Sequence, residues 1–218
     1  MSQMRLLYET KKYAKKSGMS DGKMVMTQQT TMQVNKTELA PKVFVYSDVI
    51  PGSEQLVPYI EQVTGVGMAL WDKQELSGNI VDTMLFDYPQ ELKDPNDQSI
   101  LFDERMSLVL GGFIGFAESD YVYHNNPTRS FLHDKLLLMK YGEGAEFPIS
   151  GKEDGDHLNV MYYLNDDYEG GAIEFTNLGI TYQPKANEVL IFPASKGFEY
   201  TVANLTSGTK YAVISYLR

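Results

Sequence analysis

The stretch Tyr163-Leu164-Asn165-Asp166-Asp167-Tyr168-Glu169-Gly170-Gly171 decides the fold expected for this chain. An apolar strand ending at Leu164 leads into a polar turn, and the pair Gly170-Gly171 permits the positive φ values that a sharp corner needs. Short β-type runs separated by turn residues continue on both sides, namely LLLMKY, NVMYYL, AIEFTN, ITYQP, EVLIFP, YTVANL and YAVISYL. Short, closely spaced strands predict an antiparallel sandwich or barrel over about the last 85 residues.

Helices and a further strand are expected ahead of this β-rich half. Residues 2–17 predict a short helix with lysines on its surface, and the alternation of residues 24–34 predicts a half-buried strand. A helix is expected from Ser53 as N-cap. The apolar stretch from Ile100 to Phe116 has helical spacing, interrupted by two glycines. The fold class is therefore mainly β with flanking helices (α+β).

The composition is that of an ordinary globular protein of 218 residues, with 43% hydrophobic and 22% charged residues. This length suits one large domain, or one domain with an arm. The chain has no cysteine, which excludes disulfides, thiolate metal sites and a cysteine nucleophile. Its N-terminus has no apolar signal core and no segment reaches the ~20 apolar residues of a membrane span, so we expect a cytoplasmic protein that is not secreted.

The charge is unevenly distributed between two parts of the chain. Residues 1–40 carry seven basic and three acidic side chains, a net charge of +4, whereas the whole chain carries −10. Residues 41–218 therefore carry −14, and an acidic body repels nucleic acid and anionic membranes. We expect a basic N-terminal arm over 1–40 and a main domain over 41–218, with the arm either solvated or in contact with a protein partner.

Five motifs follow one another in the second half of the chain. They are Lys140-Tyr141-x-x-Gly144-x-x-Phe147, the YLNDDYEGG run, Pro184, Phe192-Pro193 and Ser207-Gly208-Thr209-Lys210-Tyr211. Together they resemble the 2-oxoglutarate/iron(II) oxygenase superfamily, nearest to the prolyl 4-hydroxylase-like group of bacteria and their phages. The resemblance is strong over 135–218 and weaker over 43–134. It implies a double-stranded β-helix, the cupin-like jelly roll, in which Asn187 replaces a turn glycine.

The resemblance also implies where an iron site belongs. The superfamily binds Fe(II) with a His-x-Asp pair and a distal histidine, but the matching positions hold Ser150, Lys152 and Tyr200. A lysine ammonium repels a ferrous ion instead of ligating it. We therefore predict that the metal triad is lost, that no residue is catalytic and that no cofactor is bound.

A shifted metal site is the alternative. His157 lies beside Asp154 and Asp156, and Glu199 adjoins the lost distal position. These four residues would supply histidine and carboxylate ligands if the alignment slips between Phe147 and Leu158. Otherwise residues 152–156 form a solvated charged loop, and His157 is a surface or capping histidine.

The co-substrate side of the pocket is better preserved. In the superfamily a basic residue of the last strand holds the far carboxylate of 2-oxoglutarate, and Lys210 matches it. Tyr141 and Tyr163 match two tyrosines that line the same pocket, although buried tyrosines are also ordinary core residues. Lys152 is either a solvated loop lysine or a second cation facing the same ligand.

Three functions are compatible with this sequence. The first is a degenerate, non-catalytic oxygenase-like domain that serves as a structural or interaction module and assembles with a partner or a second copy through residues 1–40. Because related motifs occur in phages, it extends to a phage structural or accessory protein located in the virion. The second is an active 2-oxoglutarate/Fe(II)-dependent hydroxylase with the shifted metal site. The third is a metal-free dicarboxylate sensor.

Overall fold

The computed structural model describes residues 4–8, 30–76, 79–87, 97, 101–125, 133–145, 147–150 and 158–217. The strands in this part are β1 (Met4–Tyr8), β2 (Thr30–Ala40), β3 (Val43–Ser47), β4 (Asp72–Leu76), β5 (Asn79–Asp87), β6 (His133–Tyr141), β7 (Phe147–Ser150), β8 (Leu158–Tyr163), β9 (Glu169–Gly170), β10 (Ile173–Phe175), β11 (Ile180–Tyr182), β12 (Glu188–Pro193), β13 (Tyr200–Val202), β14 (Leu205–Ser207) and β15 (Lys210–Leu217). The helices are α1 (Leu56–Gly65), preceded by a 3₁₀ turn over Ser53–Gln55, and α2 (Phe102–Asn125).

Two facing sheets form the barrel of the molecule. Within the described residues, the main sheet has the order β1-β2-β3-β12-β8-β15-β6-β5-β4 and the minor sheet has the order β11-β10-β13-β7. A small pair, β14 with β9, lies beside them. All the pairings are antiparallel. The predicted α+β class and the jelly-roll fold are therefore confirmed.

The main sheet is buried on both faces, and strand alternation divides the core into two layers. On β8, Val160 and Tyr162 belong to the layer on the helix side, whereas Met161 and Tyr163 belong to the layer inside the barrel. All six residues of β8 are buried for this reason. The same division places Lys210 of β15 in the barrel, in the same pairing row as Tyr141 of β6.

Helix α2 covers the outer face of the main sheet. Its buried apolar residues recur at helical spacing, so one stripe of the helix packs on the strands: Met106, Leu110, Ile114, Ala117 and Tyr121. The two glycines within the predicted helix do not end it, and α2 continues to Asn125. No helix among the described residues is long and apolar enough to span a membrane.

Part of the basic arm is built into the main sheet. Strand β2 pairs with β3, and the Lys36 Nζ of β2 lies 2.9 Å from Asp120 Oδ2 of α2, which also accepts a hydrogen bond from Tyr46 at 2.8 Å. The predicted helix over 2–17 is wrong at Met4–Tyr8, which form strand β1. The predicted strand over 24–34 is confirmed over residues 30–34, which belong to β2, and residues 24–29 lie outside the described residues. The proposed division at residue 40 stays a prediction.

Candidate functional site

The first and last positions of the implied metal triad lie directly opposite each other on neighbouring strands of the minor sheet. Strand β7 pairs with β13, and in their register Ser150 is opposite Tyr200. Tyr200 is buried in the barrel core, with its ring centroid 5.2 Å from that of Phe192 and 6.2 Å from that of Phe175. The middle position, Lys152, lies outside the described residues. These two positions are thus neighbours in the minor sheet, and their assignment as metal-ligand positions stays a prediction.

The described residues at this place do not fit Fe(II). A ferrous site of this class needs two histidines and a carboxylate, whereas the paired backbone positions carry a serine and a tyrosine. Among the residues that the structure describes, no group of three or more His, Cys, Asp or Glu side chains is arranged to hold a metal ion. Ser150 and Tyr200 therefore offer iron none of the histidine or carboxylate ligands that this class of site requires.

The shifted metal site is represented in the described structure by one of its four residues. Glu199 accepts hydrogen bonds from the Asn177 amide and, at 2.8 Å, from the backbone N–H of Gly197. The backbone N–H groups of Glu199 and Gly197 hold the pKa of this carboxyl below its usual value. His157, Asp154 and Asp156 lie outside the described residues, so the shifted site stays a prediction.

The predicted co-substrate residues come together inside the barrel. Lys210 is only 4% exposed, and its Nζ donates a hydrogen bond of 2.8 Å to the carbonyl oxygen of Gly171. The same Nζ lies 5.0 Å from the ring centroid of Tyr163 and 5.3 Å from that of Tyr168. Burial disfavours the charged amine and lowers the pKa of Lys210 to about 7.

The hydroxyls of Tyr141, Tyr163 and Tyr168 belong to this part of the barrel. Tyr141 and Tyr163 each donate to a methionine sulfur two residues earlier on the same strand, at 3.4 Å, and a thioether is a weak acceptor. The Tyr168 hydroxyl is buried and has no hydrogen-bond partner in the described part of the chain. Burial raises the pKa of Tyr163 and of Tyr168, so both hydroxyls stay protonated and can donate.

The double glycine of the YLNDDYEGG run positions the carbonyl that Lys210 contacts. Gly170 and Gly171 have φ values of +80° and +65°. A Cβ on Gly170 would lie 2.2 Å from the backbone oxygen of Asn204, so the close approach of β9 to the next hairpin requires glycine. A Cβ on Gly171 would lie 3.4 Å from the Lys210 Nζ. Sequence reasoning found Lys210, Tyr141 and Tyr163 but did not assign Tyr168 or Gly171 to the site.

Comparison with known proteins agrees with this geometry. Residues 137–218 match the family model described as the 2OG-Fe(II) oxygenase superfamily. This part of the chain is therefore similar to the 2OG-Fe(II) oxygenase superfamily. The resemblance predicted from the sequence is confirmed, whereas no curated protein sequence matches the chain.

Solved structures similar to this chain include several prolyl hydroxylases. The viral collagen prolyl hydroxylase of Paramecium bursaria Chlorella virus 1, solved with 2OG, has a TM-score of 0.57 at 15% identity over 81% of this chain and 95% of its own. A Pseudomonas putida prolyl-4-hydroxylase has a TM-score of 0.57 at 12% identity over 81% and 92% of the two chains. A Trichoplax adhaerens prolyl hydroxylase has a TM-score of 0.56 at 13% identity over 81% and 83%. At such low sequence identities, the structural similarity shows a shared fold and no more.

These comparisons overturn the prediction that no cofactor is involved. The matched family is defined by 2-oxoglutarate and Fe(II), and the Chlorella virus structure holds 2OG. The prediction was wrong because it was drawn from the three metal-ligand positions alone. Lys210, which the resemblance implies as the anchor for 2-oxoglutarate, lies elsewhere in the barrel and is buried.

Proposed function

We propose that the oxygenase-like domain binds 2-oxoglutarate, or a closely related dicarboxylate, and acts as a binding module instead of a hydroxylase. The observation that carries this proposal is the buried Lys210 on the last strand, with its amine hydrogen-bonded to a backbone carbonyl and flanked by two tyrosine rings. Lys210 would hold one carboxylate of the ligand, and Tyr141 and Tyr163 would donate to its oxygens.

The electrostatics of the barrel favour an anionic ligand. A buried ammonium without a counter-ion is unfavourable, and this is why the pKa of Lys210 falls. A bound carboxylate would pair with the ammonium in a low-dielectric site, where charge-assisted hydrogen bonds are short and strong. It would also give the hydroxyls of Tyr141 and Tyr163 a better acceptor than the thioether sulfurs that they contact.

The proposal that the module is non-catalytic rests on the other half of the barrel. In the oxygenase family, 2-oxoglutarate supplies electrons for oxygen activation at iron. Ser150 and Tyr200 occupy paired strand positions where the resemblance implies metal-ligating histidines. The aromatic contacts of Tyr200 with Phe175 and Phe192 fill this end of the barrel with hydrocarbon.

Calorimetric titration tests the proposal. We expect 2-oxoglutarate to bind the wild-type chain both with Fe(II) and with a chelator, and Lys210→Met to lose at least tenfold in affinity. Lys140→Met is the matched control, because Lys140 lies on the neighbouring strand β6 but pairs with Glu61 at 3.0 Å on the helix side. Unchanged binding by the Lys210 variant would overturn the assignment of the anchor.

A second candidate is the active hydroxylase with a shifted site, favoured by the family match itself. It predicts Fe(II)-dependent conversion of 2-oxoglutarate to succinate, lost in His157→Ala. The same reaction followed in the wild-type chain separates the two candidates, because a binding module forms no succinate at any iron concentration.

The proposal also includes a protein partner or a second copy of the chain, which would bind at strand β1. Strand β1 lies at the end of the main sheet in the described structure, where an edge presents backbone donors and acceptors for strand addition. Because β2 is integral to the sheet, the informative truncation removes residues 1–29 and leaves β2 intact. We expect it to abolish a homo-oligomer or complex seen by light scattering, and an unchanged mass would refute docking through the arm. A virion location, if the chain is phage-encoded, is proposed on the same basis.

A further inference from the structure

A second cleft lies on the other side of the main sheet, away from the barrel. It occupies 380 Å³ between α1 with its preceding 3₁₀ turn and the first turn of α2. Its lining combines apolar and polar side chains: Gln55, Leu56, Pro58, Tyr59, Gln62 and Arg105. Gln55, Tyr59 and Gln62 recur at helical spacing, so one face of the α1 segment forms one wall. The volume lies at the lower end of the range for small-molecule sites.

Arg105 gives the cleft its charge. Its Nη2 donates a hydrogen bond of 2.9 Å to the backbone oxygen of Asp97. Its Nε is buried and has no hydrogen-bond partner within the described residues. A guanidinium is always protonated, so this N–H is a permanent donor on a positive group.

Arg105 differs from four described lysines in the group that it contacts. Four lysines of the described structure lie within 4 Å of a carboxylate: Lys36, Lys73, Lys135 and Lys140. The described hydrogen bond of Arg105 goes to a neutral carbonyl instead. An unmade hydrogen bond from a buried charged donor is costly, and an incoming carboxylate oxygen relieves this cost.

The remaining walls indicate the rest of the ligand. Leu56 and Pro58 are apolar, and the Tyr59 ring is held by Phe102 of α2, with centroids 5.6 Å apart. This pair gives the cleft a fixed aromatic surface. The amides of Gln55 and Gln62 can each donate to and accept from a polar group.

We propose that this cleft binds a small organic carboxylate, with its carboxylate on the Arg105 guanidinium and its apolar body against Leu56, Pro58 and Tyr59. The site is independent of the proposed dicarboxylate site. Lys210 lies inside the barrel, whereas Leu56 and the aromatic pair pack on the helix-side layer of the core.

The test uses phenylacetate as the probe and phenylacetamide as its neutral counterpart. Nitrogen-15 NMR of the full chain follows the Nε–H signal of Arg105 during titration. We expect phenylacetate to shift this signal saturably and phenylacetamide to bind at least tenfold more weakly. Lys210→Met should bind phenylacetate as the wild type does, which separates this site from the barrel.

Substitutions at Arg105 complete the test. Arg105→Met should lose phenylacetate binding, and Arg105→Lys should restore the charge but only part of the affinity because it lacks the Nε donor. Equal binding of the acid and the amide, or an Nε–H signal that does not move, would overturn the proposal. The NMR readout on the wild-type chain decides the question even if an Arg105 variant fails to fold.

Discussion

Replacing Lys210 by methionine should stabilise the ligand-free chain in acid. Folding lowers the pKa of this amine from 10.5 to about 7, and each pKa unit corresponds to about 1.4 kcal/mol. Keeping the buried ammonium at pH 6 therefore costs at most about 5 kcal/mol. Methionine removes that cost but also the hydrogen bond to Gly171, whose loss costs about 1–3 kcal/mol. The net expectation is a gain of about 2–4 kcal/mol at pH 6.

The size of the stability gain in Lys210→Met depends on pH. Below pH 7 the amine is protonated in both the folded and the unfolded chain, so the whole penalty is present. Between pH 7 and 10.5 the unfolded chain binds the proton and the folded chain does not, so the stability of the wild type rises with pH. At pH 10 the advantage of Lys210→Met should therefore have largely disappeared.

Urea denaturation at pH 6 and pH 10 measures this difference. In thermal denaturation of a chain of this size, the same gain in stability at pH 6 should raise the melting temperature by about 5–15 °C. Lys140→Met serves as the control, because its ion pair with Glu61 is partly exposed and should contribute little. The reasoning fails if Lys210→Met is destabilising by the same amount at both pH values. Saturating 2-oxoglutarate should stabilise the wild type and leave Lys210→Met unchanged.

Three further predictions concern other parts of the structure. Burial raises the pKa of Glu118 to about 8, so its contribution to stability is complete below about pH 4.5 and is lost as the pH rises through 8. Glu118→Gln should therefore be more stable than the wild type at pH 9, by up to about 4 kcal/mol in urea denaturation. Asp120→Ala should cost about 3–5 kcal/mol, because it leaves Lys36 without its buried partner. Asp82→Ala, which breaks an exposed pair, should cost less than about 1 kcal/mol. A triple variant that restores the implied ligands carries Ser150→His, Lys152→Asp and Tyr200→His. It should show the charge-transfer absorbance of an Fe(II)–2-oxoglutarate complex under anaerobic conditions. The absence of this absorbance would count against the assigned metal positions.

The sequence predicts the C-terminal half well because its signals are local. Each short strand carries its own alternation, and Asn187 has the expected positive φ of +63°. These features depend on a few neighbouring residues, so no knowledge of distant contacts is needed. Lys210, in contrast, was assigned from the resemblance of the motif over 207–211 to the oxygenase superfamily, and its role in binding stays a prediction.

The N-terminal part was predicted less well because distant contacts decide it. Lysines between residues 11 and 16 favour a surface helix, yet Met4–Tyr8 pair with residues 30–34 of β2 instead. The continuation of β2 to Ala40 was not predicted, because this part of the strand pairs with β3 and its Lys36 bonds to Asp120, which is 84 residues away. Tyr168 was overlooked because it lies in a turn motif, and only the folded corner brings its ring over Lys210.

The position of β3 in the main sheet has a consequence for how the chain folds during synthesis. One neighbour of β3 is β2, connected by the tight turn at Pro41-Lys42, in which Lys42 has a φ of +68°. Its other neighbour is β12, whose Ile191 pairs with Phe44 across about two thirds of the chain. The hairpin of β2 and β3 can close as soon as it leaves the ribosome, whereas the second edge of β3 waits until β12 has been translated. Such non-local pairing slows folding, and the early hairpin leaves the nascent chain with one open edge of β3 instead of two.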